Sequence, residues 1–309
     1  MILVVNLNVS LDKHYDMDTF KVNTVMRAKS VENRAGGKGI HVANVLQILD
    51  EEYLLTGMIG GKIGEYIEEQ LIEQKHCFDF LPIEGETRSC LAFTSSDGMQ
   101  TEVLEPGPIV KDEEYQAFLE KYSTLIEKAT LVVCSGSVPR NVPKDVYATL
   151  IKIARKHDCK VLLDTSGELL KIGINEQPYF IKPNLEELES FCGYKLEKQE
   201  DIIKEIKNFL QKGISIVAVS LGAKGSLVGY KDKIYEVKIP KVKAVNPVGS
   251  GDSFVAGIAV GLQMNLPIEE TLKLASACGT ANAMEQESGF VREDVINELL
   301  PKLVVNEVV

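Results

Sequence analysis

Residues 246–252, Asn-Pro-Val-Gly-Ser-Gly-Asp, combine a glycine turn with a carboxylate and lead into an apolar, helix-period segment. The proline restricts the residue before it to extended backbone, and the glycines permit a tight turn with exposed N–H groups. Such groups at a helix N-terminus bind anions. Asp252 could accept a proton from an attacking hydroxyl group while the turn stabilises a transferring phosphoryl group. The predicted anion hole consists of the backbone of Gly249, Ser250 and Gly251.

The same motif has a second interpretation. An aspartate beside a glycine turn is also a common helix N-cap, worth about 1 kcal/mol of helix stability. The motif alone does not decide between a catalytic base and a cap.

A second glycine motif, Gly36-Gly37-Lys38-Gly39, opens another helix-period segment. It offers backbone N–H groups and one cation, and is therefore a second candidate anion site. Taken alone it is weak, because a glycine turn with a solvated lysine is the more common arrangement.

Asn184 and Glu187 follow a strand-like run and lie three residues apart at the start of a predicted helix. They share one helix face, which suits water-mediated coordination of Mg²⁺. The same two residues also predict an N-cap with a capping box. Both interpretations can hold together.

A frame of alternating strands and helices is needed to bring these motifs together. Short apolar runs, typical of strands buried on both faces of a parallel sheet, occur at 2–5, 131–133, 161–163, 179–181 and 216–219. Helix-period segments occur at 38–49, 62–75, 111–127, 143–157, 185–193, 200–212, 252–264, 267–285 and 291–303. The sequence predicts an α/β fold, doubly wound, with helices on both faces of a mainly parallel sheet.

Two stretches, 11–33 and 87–105, lack helical periodicity and predict paired strands in a small separate sheet. We expect this small sheet to act as a lid over a core formed by 1–10, 34–86 and 106–309. An ordinary edge hairpin is the alternative.

Composition limits the choice of partners. The chain has 309 residues, a net charge of −11 and no tryptophan, which argues against nucleic acid or an anionic membrane as a partner. Its six cysteines form no C-x-x-C pair, so free thiols are expected. The N-terminus lacks the pattern of a signal peptide and no apolar run is long enough for a membrane helix, so we expect a cytoplasmic protein.

Two distant motifs together resemble a known family. Residues 245–257 resemble the C-terminal signature of the ribokinase-like, or PfkB, carbohydrate kinases, and residues 35–43 (Ala-Gly-Gly-Lys-Gly-Ile-His-Val-Ala) resemble its N-terminal signature. The resemblance extends from the first strand to about residue 290. It implies an ATP- and Mg²⁺-dependent kinase with Asp252 as the base and residues 249–251 as the anion hole.

The resemblance also implies a sugar site. Its residues are Asp12, Gly36, Gly37, Lys38, His41, Arg88 and Ser137. His41 departs from the family pattern, which usually has Asn there, and it could either donate to a sugar oxygen or simply pack. Arg88 and residues 101–108 resemble the branch whose acceptors already carry a phosphate, which the planar guanidinium can bind through two hydrogen bonds. Arg27 and Arg140 are weaker candidates for the same task.

The nucleotide side implied by the resemblance is spread over several strand ends. It comprises Asp164, Lys182, Asn184, Ser220, Gly222, Gly225 and Asn282, with Glu187 as the metal-site residue.

The resemblance thus implies an ATP-dependent phosphotransferase similar to the tagatose-6-phosphate kinase or 1-phosphofructokinase type, whose product is a ketohexose 1,6-bisphosphate. The alternatives are a kinase of an unphosphorylated sugar or nucleoside, and a non-catalytic sugar-phosphate-binding protein on the same fold. A dinucleotide-dependent dehydrogenase is disfavoured because the first strand is not followed by glycines. A homodimer through the lid is expected by analogy with relatives.

Overall fold

The computed structural model describes all of residues 1–309. Its strands are β1 (Ile2–Asn6), β2 (Ser10–Met17), β3 (Ser30–Gly36), β4 (Tyr53–Gly60), β5 (Leu81–Ile83), β6 (Arg88–Ser95), β7 (Gln100–Leu104), β8 (Leu131–Ser135), β9 (Lys160–Asp164), β10 (Phe180–Ile181), β11 (Ile216–Ser220), β12 (Ser226–Tyr230), β13 (Lys233–Lys238) and β14 (Val304–Glu307). Its α-helices are α1 (Lys38–Ile48), α2 (Gly61–Glu73), α3 (Asp112–Leu125), α4 (Val146–Arg155), α5 (Gly167–Gly173), α6 (Leu185–Cys192), α7 (Gln199–Gln211), α8 (Ser250–Gln263), α9 (Ile268–Ala283) and α10 (Glu293–Leu299).

Ten strands form the large sheet, in the order β14-β13-β12-β11-β10-β9-β8-β1-β4-β5. The strands from β5 to β11 along this order pair in parallel. Successive residues of β1 point to opposite faces, so that Ile2 and Val4 join one apolar core and Leu3 and Val5 the other. Helices α1, α2, α8, α9 and α10 cover the first face, and α3 to α7 cover the second. The predicted doubly wound, mainly parallel sheet is confirmed.

Some elements differ from the predicted ones. The sheet ends in three antiparallel strands, β12 to β14, which the sequence analysis did not identify, and α5 was also missed. Helix α4 begins at Val146, because residues 143–145 form a turn in which the carbonyl of Pro143 accepts the N–H of Val146. The final predicted helix ends at Leu299 and continues only as a 3₁₀ turn.

The direction of the chain across the large sheet reverses beside β1. From β1 the chain moves to β4 and β5 on one side, then returns to β8 on the other side and continues outward to β11. Ligands of such sheets bind beyond the carboxyl ends of the strands at this reversal. The loops after β1, β8, β9, β10 and β11 therefore face one crevice.

A separate sheet of four strands, in the order β3-β2-β6-β7, confirms the small sheet expected from the sequence. We call it the lid sheet. Strand β2 starts four residues after β1 ends and runs parallel to β6, with Ser10 opposite Arg88. Strand β3 continues to Gly36, three residues beyond the expected limit of the lid at residue 33, because Gly36 still pairs with Ser10. The base of the lid sheet consequently joins the core at the second glycine motif.

All six cysteines are unpaired, as expected. None of the helices combines the length and apolar character needed to cross a membrane.

Candidate active site

The turn before α8 has the geometry expected of an anion hole. Gly249 is the N-cap residue, and its φ of +84° is a left-handed conformation that favours glycine. A Cβ at this position would lie 2.5 Å from the backbone nitrogen of Gly289, so the close approach also requires glycine. No side chain caps the helix. The N-cap interpretation of Asp252 is therefore wrong, and its carboxylate is available for other contacts.

Asn282, on α9, holds this turn in place through hydrogen bonds. Its amide nitrogen donates to the carbonyl of Val248 (2.8 Å), and its oxygen accepts from the backbone N–H of Gly289 (2.8 Å) and the hydroxyl of Ser253 (3.2 Å). The side chain is completely buried. The residue predicted to contact ATP is thus occupied with holding the anion-hole turn, and its nucleotide contact stays a prediction.

The carboxylate of Asp252 is buried and faces His41. Oδ2 of Asp252 lies 2.8 Å from Nδ1 of His41, and Nε2 of the same ring lies 3.5 Å from Oδ2 of Asp12. The other oxygen of Asp12 accepts the hydroxyl of Ser10 (2.7 Å). Gly36 makes room for this arrangement, since a Cβ there would lie 2.1 Å from the carboxylate of Asp12. Simple packing of His41, one of the two expectations, is therefore wrong.

Asp164, at the end of β9, holds two lysines. Its oxygens lie 3.1 Å from Nζ of Lys38 and 3.4 Å from Nζ of Lys182. Burial by itself would raise the pKa of Asp164, but the two ammonium groups outweigh it and hold that pKa below its ordinary value. Asp164 in turn raises the pKa of Lys38 above its usual range, with further contributions from Asp252 and Glu187.

Lys182 lies next to the predicted anion hole. A Cβ at Gly251 would lie 2.9 Å from Nζ of Lys182, so this cation lies directly beside the turn. Lys38 is paired with Asp164 and is not a freely solvated lysine. The interpretation of Gly36–Gly39 as an ordinary glycine turn with a solvated lysine is therefore wrong. Gly37 and Gly39 pack against the side chain of Asn6, where a Cβ on either glycine would come within 2.6 Å.

The Asn184–Glu187 pair forms the predicted capping box. Oδ1 of Asn184 accepts the N–H of Glu187 (2.8 Å), and Oε2 of Glu187 accepts the N–H of Asn184 (2.9 Å). No group of three or more His, Cys, Asp or Glu side chains comes together as a metal centre. The contact of Glu187 with Mg²⁺, an ion commonly held by one or two carboxylates together with water and substrate phosphates, stays a prediction. Oε1 of Glu187 takes no part in the capping box.

The loop from Ser220 to Gly225 passes beside this capping box. Ser220 donates its N–H to the carbonyl of Pro183 (3.1 Å) and pairs with Asn184 as an isolated bridge. Residues Gly222–Lys224 form a 3₁₀ turn. The predicted nucleotide residues Asp164, Lys182, Asn184 and Ser220 therefore line adjacent strand ends.

Arg88 lies at the start of β6, where the lid sheet meets the core. Its guanidinium donates to two carbonyls, those of Glu105 (2.9 Å) and Asn8 (3.2 Å), and Nε has no partner. No carboxylate neutralises it. Ser137, after β8, accepts from the amide of Asn8 at 3.1 Å, so Asn8 links the two predicted phosphate-binding residues.

The two weaker arginine candidates differ in placement. Arg27 is exposed in the loop between β2 and β3. Arg140 donates from Nε to the carbonyl of Gly107 (2.9 Å), near Asn8.

Sequence reasoning missed Asn6 and Asn8. Both are buried at the carboxyl end of β1, and each has an amide atom without a partner, Nδ2 of Asn6 and Oδ1 of Asn8. A polar pair directly after the first buried strand was the available signal, because such positions face the crevice of an α/β sheet.

Comparisons with known proteins agree with this geometry. The pfkB family carbohydrate kinase model matches residues 5–293. The chain is 40% identical to tagatose-6-phosphate kinase of Staphylococcus epidermidis, over the full length of both proteins. Phosphofructokinase-2 from Escherichia coli, solved in complex with potassium, superimposes with a TM-score of 0.92 at 26% identity over 97% of this chain and 98% of that one. A Thermotoga maritima protein described as "possible 1-phosphofructokinase" superimposes with a TM-score of 0.91 at 26% identity. The match covers 100% of this chain and 99% of that one.

Proposed function

Because the chain belongs to the pfkB family of carbohydrate kinases, we propose that it transfers the γ-phosphoryl group of ATP to a ketohexose phosphate. Tagatose 6-phosphate is the first candidate acceptor, since the relative that is 40% identical over its full length is a tagatose-6-phosphate kinase. Fructose 1-phosphate is the second. Either acceptor gives a ketohexose 1,6-bisphosphate.

The observation that carries this proposal is the position of Asp252. Its buried carboxylate lies in the first turn of α8, takes no part in capping, and has Oδ1 free of any hydrogen bond within the protein. The N–H groups of the preceding turn and the ammonium of Lys182 lie beside it. A base next to a site for negative charge is what phosphoryl transfer to a hydroxyl group requires.

The mechanism follows from these groups. The acceptor hydroxyl loses its proton to Asp252 as its oxygen bonds to the γ-phosphorus, and the bond from that phosphorus to the bridging oxygen of ADP breaks. Backbone N–H groups of residues 249–251 and the ammonium of Lys182 stabilise the charge on the phosphoryl oxygens. Glu187 would hold Mg²⁺ through water, and when bound that ion neutralises phosphate charge.

Arg88 supports an acceptor that already carries a phosphate. Its guanidinium has no carboxylate partner and is oriented by two carbonyls, so it retains a full charge for a ligand. Lys38, at the start of α1, lies close to the loop that carries Ser137, since a Cβ at Gly136 would lie 3.6 Å from Cβ of Lys38. A kinase of free ribose or of a nucleoside would have no need of this cation.

The lid sheet would close over the acceptor and exclude water from the transfer. Exposed apolar residues also support a homodimer in which lid sheets pack together: Val103 and Leu104 on β7, and Val22 and Val25 in the loop between β2 and β3. Light scattering coupled to size exclusion tests this assembly; a monomer at all concentrations would refute it.

The function is tested by measuring ADP production with tagatose 6-phosphate, fructose 1-phosphate, fructose 6-phosphate, ribose and adenosine. We expect the phosphorylated ketohexoses to give the highest kcat/KM. Asp252→Asn should lower kcat by about 10²–10⁴-fold while the protein stays folded. Preference for ribose or adenosine refutes the acceptor, and full activity of the variant refutes the base.

A further inference from the structure

His41 occupies the space between the proposed base and the proposed sugar-binding carboxylate. Its ring nitrogens face Asp252 at 2.8 Å and Asp12 at 3.5 Å. The residue is 8% exposed. The backbone of Gly289 packs against it so closely that a Cβ there would lie 2.5 Å from Cβ of His41. This close approach restricts the side chain at its Cβ, and both ring nitrogens face a carboxylate.

The contacts of the ring determine its charge. Ionised carboxylates only accept hydrogen bonds, so a ring facing two of them carries a proton on each nitrogen. Burial opposes that charge, but the hydrogen bonds and charges of Asp12 and Asp252 outweigh it and raise the pKa of His41 to about 10.

No other charged group faces the ring. Lys38, on the same helix, contacts Asp164, although its charge also acts on Asp252. In the loop that contributes Gly289, Glu285 is paired with Arg292 and Glu287 with Arg34. The ring is therefore the only cation in direct contact with either Asp12 or Asp252.

The asparagine that the family usually has at this position could not do the same. It is neutral, and its amide nitrogen and oxygen leave it only one donating group for two acceptors. With asparagine the two carboxylates would face the acceptor site without a cation between them, and like charges disfavour ionisation of both.

We propose that His41 is a positioning residue, an imidazolium that links Asp12 to Asp252 and orients the base. This proposal rests on the proposed function. One oxygen of Asp252 is held by Nδ1, which leaves Oδ1 directed to the hydroxyl of the acceptor. Since Asp12 contacts the other end of the ring, a sugar bound at Asp12 is coupled to the base through one rigid side chain.

The pH dependence of catalysis tests this role. In the wild type, kcat at saturating substrates should fall as the pH rises through about 10, where the imidazolium loses its proton. In His41→Asn and His41→Gln this fall should be absent, because neither amide side chain carries a proton to lose there. The variants should lose about 10–100-fold in kcat, with the KM for ATP unchanged.

His157→Asn is the matched control, because that histidine is exposed and its side chain contacts none of the proposed site residues. Its profile should coincide with that of the wild type. A His41→Asn profile that also coincides with the wild type overturns the proposal.

Imidazole ¹⁵N spectra test the bridge independently of activity. The chain has four histidines, so the resonance lost in His41→Asn identifies His41. At pH 8 both of its nitrogens should be protonated. Inactivity of the wild type toward every acceptor would refute the proposed function, whereas a neutral His41 at pH 8 would refute the bridge.

Discussion

Nζ of Lys38 lies 3.1 Å from Oδ2 of Asp164, although the two residues are 126 positions apart in the chain. The other oxygen of this carboxylate faces Lys182, which is almost completely buried. One buried anion therefore orders two cations, Lys38 in the Gly36–Gly39 motif and Lys182 beside the turn at Gly251. This arrangement leads to the first prediction.

Asp164→Asn should destabilise the protein by about 3–5 kcal/mol, because it leaves the buried ammonium of Lys182 without a counter-charge. Urea unfolding followed by circular dichroism measures the change. Lys38→Met is the matched control: it leaves the Asp164–Lys182 pair intact, and the side chain of Lys38 is 41% exposed, so a much smaller loss is expected. Equal stability of Asp164→Asn and the wild type would contradict the interpretation.

Arg88→Met should raise the KM for a phosphorylated acceptor by about 10–100-fold, through loss of charge-assisted hydrogen bonds to its phosphate. The KM for ATP should not change, because Arg88 lies at the base of the lid sheet on the acceptor side. Initial rates with tagatose 6-phosphate measure the effect. Arg155→Met, at an exposed position on α4, serves as the control. A loss that is equally large with an unphosphorylated sugar would show that Arg88 does not bind phosphate.

Gly37→Ala should destabilise the protein more than Gly98→Ala. Both glycines have positive φ values, +107° and +81°, so each substitution introduces backbone strain of about 1–2 kcal/mol. Only at Gly37 would the new Cβ also collide with a neighbour, 2.6 Å from Nδ2 of Asn6, whereas nothing lies within 4 Å at Gly98. We expect about 1–3 kcal/mol of additional loss from this overpacking. Thermal unfolding of the two variants gives the comparison, and equal losses would mean that the contact with Asn6 is easily relieved.

His76 should make the protein less stable in mild acid. Burial lowers the pKa of His76 to about 4, and Tyr53 contacts its Nδ1 at 2.5 Å. Above pH 6.5 the ring is neutral in both the folded and unfolded states. Between pH 6.5 and 4 the unfolded chain binds a proton that the folded protein does not. The free energy of unfolding therefore decreases as the pH is lowered from 6.5 to 4.

His76→Gln should reduce this dependence, measured as the free energy of unfolding at pH 7 and pH 5. His157→Gln, at an exposed site, should leave the dependence unchanged. If the two variants respond alike, burial of His76 does not govern its ionisation.

Much of the α/β fold was predictable from the sequence, because the patterns that indicate strands and helices are local. Continuous apolar runs identified five inner strands of the parallel sheet, β1 and β8 to β11, since strands covered on both faces need apolar residues at every position. The inner strand β4 and the antiparallel strands β12 to β14 were missed; β12 and β13 form a hairpin, whereas β14 joins β13 from a distant part of the chain. Helix α5 is short, seven residues, and too brief to show a helical period.

For the proposed site, the sequence by itself determined the two glycine motifs, Asp252 directly after Gly251, and the Asn184–Glu187 pair. Turn geometry and helix starts depend on residues a few positions apart, so these features are readable directly. The structure alone decided what each side chain faces: that Gly249 and not Asp252 caps α8, that Asp164 holds two lysines, and that His41 contacts both Asp12 and Asp252, the latter 211 positions away in the chain. Contacts of this kind depend on where the ends of different strands and helices meet, and only the tertiary fold fixes that.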